Sequence, residues 1–240
     1  MSARLLVVQH QDDCPPAWFG DWFAAAGVGY DVLAASREAM PTGLDDHDAL
    51  VVLGGEMGAN DDAGFGWLGP TKKLITSVVA DERPFLGICL GHQLAAVALG
   101  GEVMPNPHGQ ALGLTPLGLT DAGRADDLLG VVAPGSLAVQ WNSDIVTRLP
   151  EGAVVLATSP DGTVQAARFG CRAWGVQLHP EVGPETFQRW IEAEAAAGKP
   201  PTDRTREVHT AIAAAERQLR SSWQPLATRF ADVVLSAKAP

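Results

Sequence analysis

The chain is poor in cysteine, in basic residues and in long apolar runs, and each shortage removes a class of protein. Only 3 of its 240 residues are cysteines: Cys14, Cys89 and Cys171. An odd, sparse set with no CxxC spacing is not a disulfide framework. The 6 histidines come without an HExxH motif and without a Cys/His cluster, so no metal site is expected. Lys and Arg number 17 against 28 Asp and Glu, a formal net charge of −11. That balance argues against a nucleic-acid partner, whose phosphates need a basic footprint, and against an anionic membrane surface. No apolar run reaches the roughly 18 residues of a membrane span. The N-terminal "MSARLLVVQH" enters a strand-like run at once, too short for a secretory h-region and without a small-residue cleavage site. These features together lead to the expectation of a cytoplasmic protein.

What remains is an ordinary globular composition, 46% hydrophobic and 19% charged, in a length that suits one large α/β domain or a domain with an appendage. In the first half, "RLLVVQ" (4–9), "DALVVLGG" (48–55) and "PFLGIC" (84–89) read as buried parallel strands, being continuous in Val, Leu and Ile rather than alternating. The stretches 15–27 and 67–82 between them read as helices, the first with Pro in its opening turn and Gly at its end. This alternation predicts an open, mostly parallel twisted sheet with helices on both faces. After about residue 100 the strands become closely spaced and partly antiparallel. A helix from "PETFQRWIEAEAAAG" follows, and "KPP" (199–201) marks a break. The expected division is a main domain over 1–198 and a helical extension over 199–240.

The chemistry centres on "GICLG", residues 87–91. A nucleophile placed in a tight strand-to-helix turn crowds its neighbours, which are therefore glycines. Cys89 would head the helix that follows, where the helix dipole and free N–H groups favour a thiolate. The N–H of Leu90 would face a developing oxyanion. The competing reading is a buried core cysteine. A thiol nucleophile needs a base, and "VQLHPE" supplies one at the end of an apolar strand. There His179 and Glu181 point the same way, so the carboxylate can fix the imidazole. Taken alone, His179 also fits a surface turn. The loop "VVLGGEMG" brings Gly54 and Gly55 to the same sheet edge, with the Gly55 N–H as second oxyanion donor. A phosphate-cradling loop is the alternative there, but no Gly-Lys-Ser/Thr and no GxGxxG follows.

The order of these motifs, a glycine-rich strand end, a G-x-C-x-G elbow followed by Gln, and a final His-Pro-Glu, resembles the class I (triad) glutamine amidotransferases. The resemblance covers about residues 4–192. It is greatest to their stand-alone GMP synthase-like members, which carry a similar "QH" after the first strand, a "GGxMG" loop and a Trp-x-x-Asp stretch before "LPEGAVVLATS". It implies a flavodoxin-like α/β fold, a Cys89–His179–Glu181 triad, an oxyanion hole from Gly55 and Leu90, and a substrate contact at Gln93. It implies no metal and no organic cofactor. The segment "QWNSD" (140–144) departs from the family's usual Trp-His-Gly-Asp, with Asn142 and Ser143 at positions that hold the amino-acid end of glutamine. Asn142 still offers a donor and an acceptor. The implied substrate is glutamine or a γ-glutamyl amide. The ammonia would go to a separate synthetase subunit or be released by a free-standing hydrolase. A non-catalytic regulatory module is the third reading, which the intact Cys-His-Glu set opposes. The chain carries no SGGxDS-type nucleotide motif of its own.

The tail suggests two amphipathic helices. The first has Val208, Ile212, Ala215 and Leu219 in one stripe. The second would be capped by Ser221 or Ser222, with Pro225 in its first turn and Trp223, Leu226, Phe230 and Val233 on one side. Either they extend the chain's own core or they form a surface for a partner or a homodimer.

Overall fold

The computed structural model describes residues 3–238. Elements follow in the order β1 (Arg4–Gln9), α1 (Trp18–Ala25), β2 (Gly29–Ala34), β3 (Ala49–Val52), α2 (Leu68–Ala80), β4 (Phe85–Ile88) and α3 (Leu90–Ala98). Then come β5 (Glu102–Pro105), β6 (Ala111–Pro116), β7 (Gly118–Leu119), the single turn α4 (Asp121–Arg124), β8 (Leu137–Asn142) and β9 (Asp144–Arg148). The last are β10 (Val154–Thr158), β11 (Val164–Gly170), β12 (Ala173–Val176), α5 (Pro184–Ala196) and α6 (Asp203–Lys238).

An 8-stranded sheet runs β2-β1-β3-β4-β12-β11-β10-β7. Its first five strands are mutually parallel, and β11, β10 and β7 complete it antiparallel. The hairpin-like pairs β5–β9 and β6–β8 stand apart from it. The fold is therefore the open, mostly parallel α/β arrangement that the strand patterns imply. Side-chain alternation splits each central strand between two cores. Leu5 and Val7 of β1 face one cluster, with α1, α5 and α6 residues such as Phe19, Phe187 and Phe230. Leu6 and Val8 face the other, with Leu74 and Ile75 of α2 and Leu94 of α3. Each such buried aliphatic side chain contributes about 1.5–3 kcal/mol.

The sheet edge that matters is the carboxyl end of the parallel strands. The chain leaves β1 for β2 on one side and reaches β3 on the other, which opens a crevice where the strand order reverses. Residues 10–14, 53–57, 89–90 and 177–181 all emerge at that end, after β1, β3, β4 and β12.

The tail differs from the two-helix expectation. Residues 203–238 form one helix with Pro225 inside it. Thr202, ahead of the first turn, accepts the Thr205 N–H on its hydroxyl at 3.1 Å. Proline in a helix interior removes one hydrogen bond and crowds the preceding turn. Here the helix continues because both sides of the proline are pinned to the core: Ile212, Leu219, Trp223, Leu226, Phe230 and Val234 are all buried. The Trp223 indole also donates to the Leu137 carbonyl at 2.8 Å. Val233 is only partly buried and Val234 takes the inner position, a one-residue change in the stripe. Local docking of the tail is thus what the contacts of the described residues show.

Candidate active site

Gly87 and Gly91 flank Cys89 because nothing larger fits. A Cβ on Gly87 would lie 2.6 Å from the Gly91 carbonyl group, and one on Gly91 would lie 2.1 Å from the Val52 oxygen. β3, β4 and the start of α3 are packed backbone to backbone at this point. The turn drives Cys89 to φ 50°, ψ −104°, a region that non-glycine residues rarely occupy. The Cys89 N–H is tied to the Val176 carbonyl at 2.8 Å, so the neighbouring strand holds the strained residue in place. Leu90 begins α3, and its N–H is one of the donors that a helix start leaves without an intrahelical acceptor.

His179 approaches from β12's end. Its N–H bonds to the Val139 carbonyl at 2.9 Å, which fixes the backbone of the segment against β8. The Glu181 carboxylate accepts from the His179 Nδ1 at 2.8 Å, and both side chains are 4% exposed. Nε2 is thereby left for the thiol. The imidazole is packed edge-on against the Trp190 ring, centroids 4.7 Å apart. Gly54 lets it approach, since a Cβ there would lie 2.8 Å from His179 Cε1 and 3.5 Å from Cys89 Cβ. Burial is the largest influence on this imidazole and lowers its pKa. The charges of Cys89 and Glu181, with hydrogen bonds to both, together outweigh it and raise the value from 6.5 to about 10. The histidine is therefore an imidazolium at neutral pH, with Glu181 and Cys89 on either side of it.

The thiol opens into a cavity of about 390 Å³ whose walls include Cys14, Gly55, Trp141, His179, Trp190 and Lys199. Gly55 is thus in the wall beside Cys89, and among the described residues its N–H donates to no protein acceptor. Gln93, Asn142 and Ser143 are not in this wall. Gln93 is buried and donates to the Asp144 carbonyl at 3.0 Å and the Gln177 Oε1 at 3.2 Å. Asn142 donates to the same Asp144 carbonyl at 3.0 Å and lines a different cavity. Ser143 is exposed. The strand alternation of β8 is the reason: Trp141 faces the thiol, so Gln140 and Asn142 face away.

Three neighbours of the thiol escaped the sequence reading. Gln177, fully buried, points its amide N–H at the Cys89 Sγ, 3.7 Å away. It lies two residues before His179, so the same period-two rule that paired His179 with Glu181 could have found it. Cys14 lies in the cavity wall, and burial, then the charges of Asp13, Cys89 and Glu181, push its thiol well above the ordinary value. Trp190, from α5, covers the imidazole and donates to the Asp13 carbonyl at 2.9 Å; nothing local in the sequence marks it. His10 is buried, and burial lowers its pKa to about 4. It stays neutral beneath Gly55, where a Cβ on the glycine would meet the His10 Cβ at 3.2 Å. Among the described residues no cluster of three or more His, Cys, Asp or Glu could hold a metal ion.

Comparison with known proteins agrees with this fold. The family model for class I glutamine amidotransferase matches residues 23–196. The chain is 34% identical over 172 residues to a glutamine-hydrolyzing GMP synthase subunit of Sulfurisphaera tokodaii, covering 69% of this chain and 87% of that one. It is 30% identical over 189 residues to gamma-glutamyl peptidase 5 of Arabidopsis thaliana, covering 78% and 74%. Among solved structures, a glutamine amidotransferase of Thermotoga maritima superposes with a TM-score of 0.84 at 28% identity, covering 97% of this chain and 99% of that one. Fold, elbow and family match coincide, and the chain belongs to the class I glutamine amidotransferases.

Proposed function

We propose that the protein hydrolyses the side-chain amide of glutamine, or of a γ-glutamyl amide, through a γ-glutamyl thioester on Cys89. The observation that carries this is the buried His179, hydrogen-bonded to Glu181 and charge-coupled to a cysteine held in a strained turn.

The Cys89 thiolate attacks the amide carbon, and the new oxyanion is held by the N–H groups of Gly55 and Leu90. The His179 imidazolium gives its proton to the leaving nitrogen as the C–N bond breaks, releasing ammonia or an amine. Neutral His179 then takes a proton from water, which attacks the thioester. The C–S bond breaks, glutamate leaves and the thiolate–imidazolium pair is restored. Glu181 keeps the imidazole oriented in both halves. Gln93 and Asn142 act from behind the cavity wall: both donate to the Asp144 carbonyl and so set the course of the 142–144 backbone, Ser143 included.

In the first reading the ammonia is passed to a separate synthetase subunit; the relative named as a GMP synthase subunit supports it. The second reading is a hydrolase that works alone on γ-glutamyl amides with larger amines. The cavity walled by Trp141 and Trp190 favours it, because ammonia as leaving group needs no such aromatic surroundings. A release assay on glutamine and a panel of γ-glutamyl amides, with mass spectrometry of the intact protein for a γ-glutamyl adduct on Cys89, tests both. An adduct with glutamine but turnover only beside a synthetase supports the first reading. Unassisted turnover of larger amides supports the second. No adduct and no release with any amide would sink the proposal.

A further inference from the structure

The segments 10–14 and 53–57 leave the sheet side by side, after the paired strands β1 and β3, and one side chain joins them. The Glu56 N–H donates to the Gln11 Oε1 at 2.8 Å. Among the described residues this is the one hydrogen bond that the backbone of 54–57 makes. The Gln11 Nε2 donates to the Asp13 Oδ1 at 2.6 Å. A carboxylate only accepts, so Asp13 turns the carboxamide oxygen of Gln11 toward Glu56. The Gln11 carbonyl is engaged as well, accepting from the Cys14 N–H at 3.1 Å and the Gln9 Nε2 at 2.8 Å. Gln11 is therefore held at both ends while it holds Glu56.

What it holds is next to the oxyanion donor. The Glu56 and Gly55 N–H groups belong to consecutive peptides, so only the φ and ψ of Gly55 separate the clasped plane from the one that carries the donor. Two glycines in a row, Gly54 and Gly55, make this a stretch of unusually free backbone. An oxyanion hole works only when its donors already point to where charge develops. Packing supplies part of the restraint: a Cβ on Gly55 would lie 3.1 Å from both Leu90 Cδ2 and Met57 Sδ. Those contacts set where Gly55 sits, whereas a directional hydrogen bond sets how its peptides turn. The same loop also supports the base, since the Asp13 carbonyl accepts from Trp190, whose ring lies against His179.

We propose that Gln11 is a positioning residue for the reaction, keeping the Gly55 N–H in its donating orientation through the Glu56 peptide. The inference rests on the thioester reading above and adds a residue to it, one whose effect reaches the reacting atoms through Gly55. Gln11 also lines the cavity, so direct contact with the substrate is the rival role. The two roles differ in kinetics: a clasp on an oxyanion donor acts on kcat, whereas a contact made equally in ground and transition states acts on KM.

The test measures kcat and KM of the full chain on whichever γ-glutamyl amide it releases fastest, with the rate of Cys89 alkylation by iodoacetamide as control. In that alkylation sulfur displaces iodide directly, so no oxyanion forms. Gln11→Met keeps the length of the side chain and removes the acceptor. Its kcat should fall about 10–100-fold, short of the roughly 10²–10³ lost when an oxyanion donor is deleted. KM should stay within about threefold, and alkylation should be unchanged. In Gln11→Glu/Asp13→Asn the acceptor for Glu56 returns and the second hydrogen bond runs the other way, at the same net charge. That double variant should recover most of the lost kcat, whereas Gln11→Glu alone, with two carboxylates side by side, should not. Four results would each overturn the inference: a kcat loss under about threefold in Gln11→Met, a rise in KM at unchanged kcat, alkylation slowed as much as turnover, or a double variant no faster than Gln11→Glu. The last comparison decides the matter if Gln11→Met does not fold. A native protein that is alkylated at Cys89 yet releases nothing from any amide sinks the thioester reading itself, and Gln11 then has no oxyanion to serve.

Discussion

Cys14 and Cys89 share one cavity and are buried to nearly the same degree, 8% and 5% exposed. Their surroundings make them different groups. Cys14 follows an irregular loop beside Asp13 and near Glu181, where burial and negative charge both keep its thiol protonated. Cys89 sits in a strained turn at the start of α3, with the Gln177 amide and a charged imidazole against it. Reactivity at this site follows from what faces the sulfur, since burial is common to both.

The largest way to break this comparison is Cys89→Ala. Turnover should fall by at least about 10⁴-fold with circular dichroism and Tm little changed, and His179→Ala should match it, because residues that act as a unit lose function together. Retention of activity in Cys89→Ala would make Cys14 the nucleophile. Glu181→Gln should cost about 10²-fold in kcat, the lower end of acid–base contributions, because glutamine can still accept from Nδ1–H. A loss as large as that of His179→Ala would mean that the charge matters more than the orientation.

Labelling sharpens the same point. A chloroketone analogue of glutamine at pH 7 should modify Cys89, leaving Cys14 untouched and the exposed Cys171 only slowly reactive; peptide mass spectrometry reads the site. Chief modification at Cys14 would reverse the comparison.

The paired charges also leave a mark on stability. The folded pKa of His179, about 10, is above its unfolded value of 6.5. Its stabilisation is complete below pH 6.5 and is lost as pH rises toward 10. Urea unfolding between pH 6.5 and roughly 8, below the ordinary cysteine range at which the Cys14 thiol begins to contribute, should show falling stability in the native protein. Without the Cys89 charge the folded pKa of His179 is lower, so in Cys89→Ala the decline should start from the same unfolded value of 6.5 but be smaller and level off at lower pH. Identical profiles would uncouple the two groups. The smallest effect belongs to Cys14→Ser, with kcat/KM expected to change by less than about tenfold, or 1.4 kcal/mol.

The parts of the fold legible from residues were those with a strong local signature. The apolar runs at 4–9, 48–55 and 84–89 became β1, β3 and β4 within a few residues. The edge strand β2, "GYDVLA", has no comparable run and is half exposed, so nothing in its own residues announced it. The two-helix reading of the tail rested on a rule about proline that holds for isolated helices. In α6 the packing of Trp223, Leu226 and Phe230 outweighs the missing hydrogen bond. At the site, Asn142 was placed by motif analogy, whereas the alternation of β8 turns it to the other face and brings Trp141 to the thiol.

By itself, then, the sequence marked the cysteine, the histidine and the carboxylate that we propose as nucleophile, base and orienting group. Each is marked by a constraint a few residues long: glycines forced by backbone contact at 87 and 91, and a strand's period of two at 179 and 181. Only the tertiary structure decided that Gln177, Cys14, Trp141 and Trp190 surround that thiol, and that Gln140 and Asn142 line a second cavity instead. Those groups come from segments far apart in the chain. What brings them together is the register of strands and the docking of α5 and α6, which depend on the packing of the whole core.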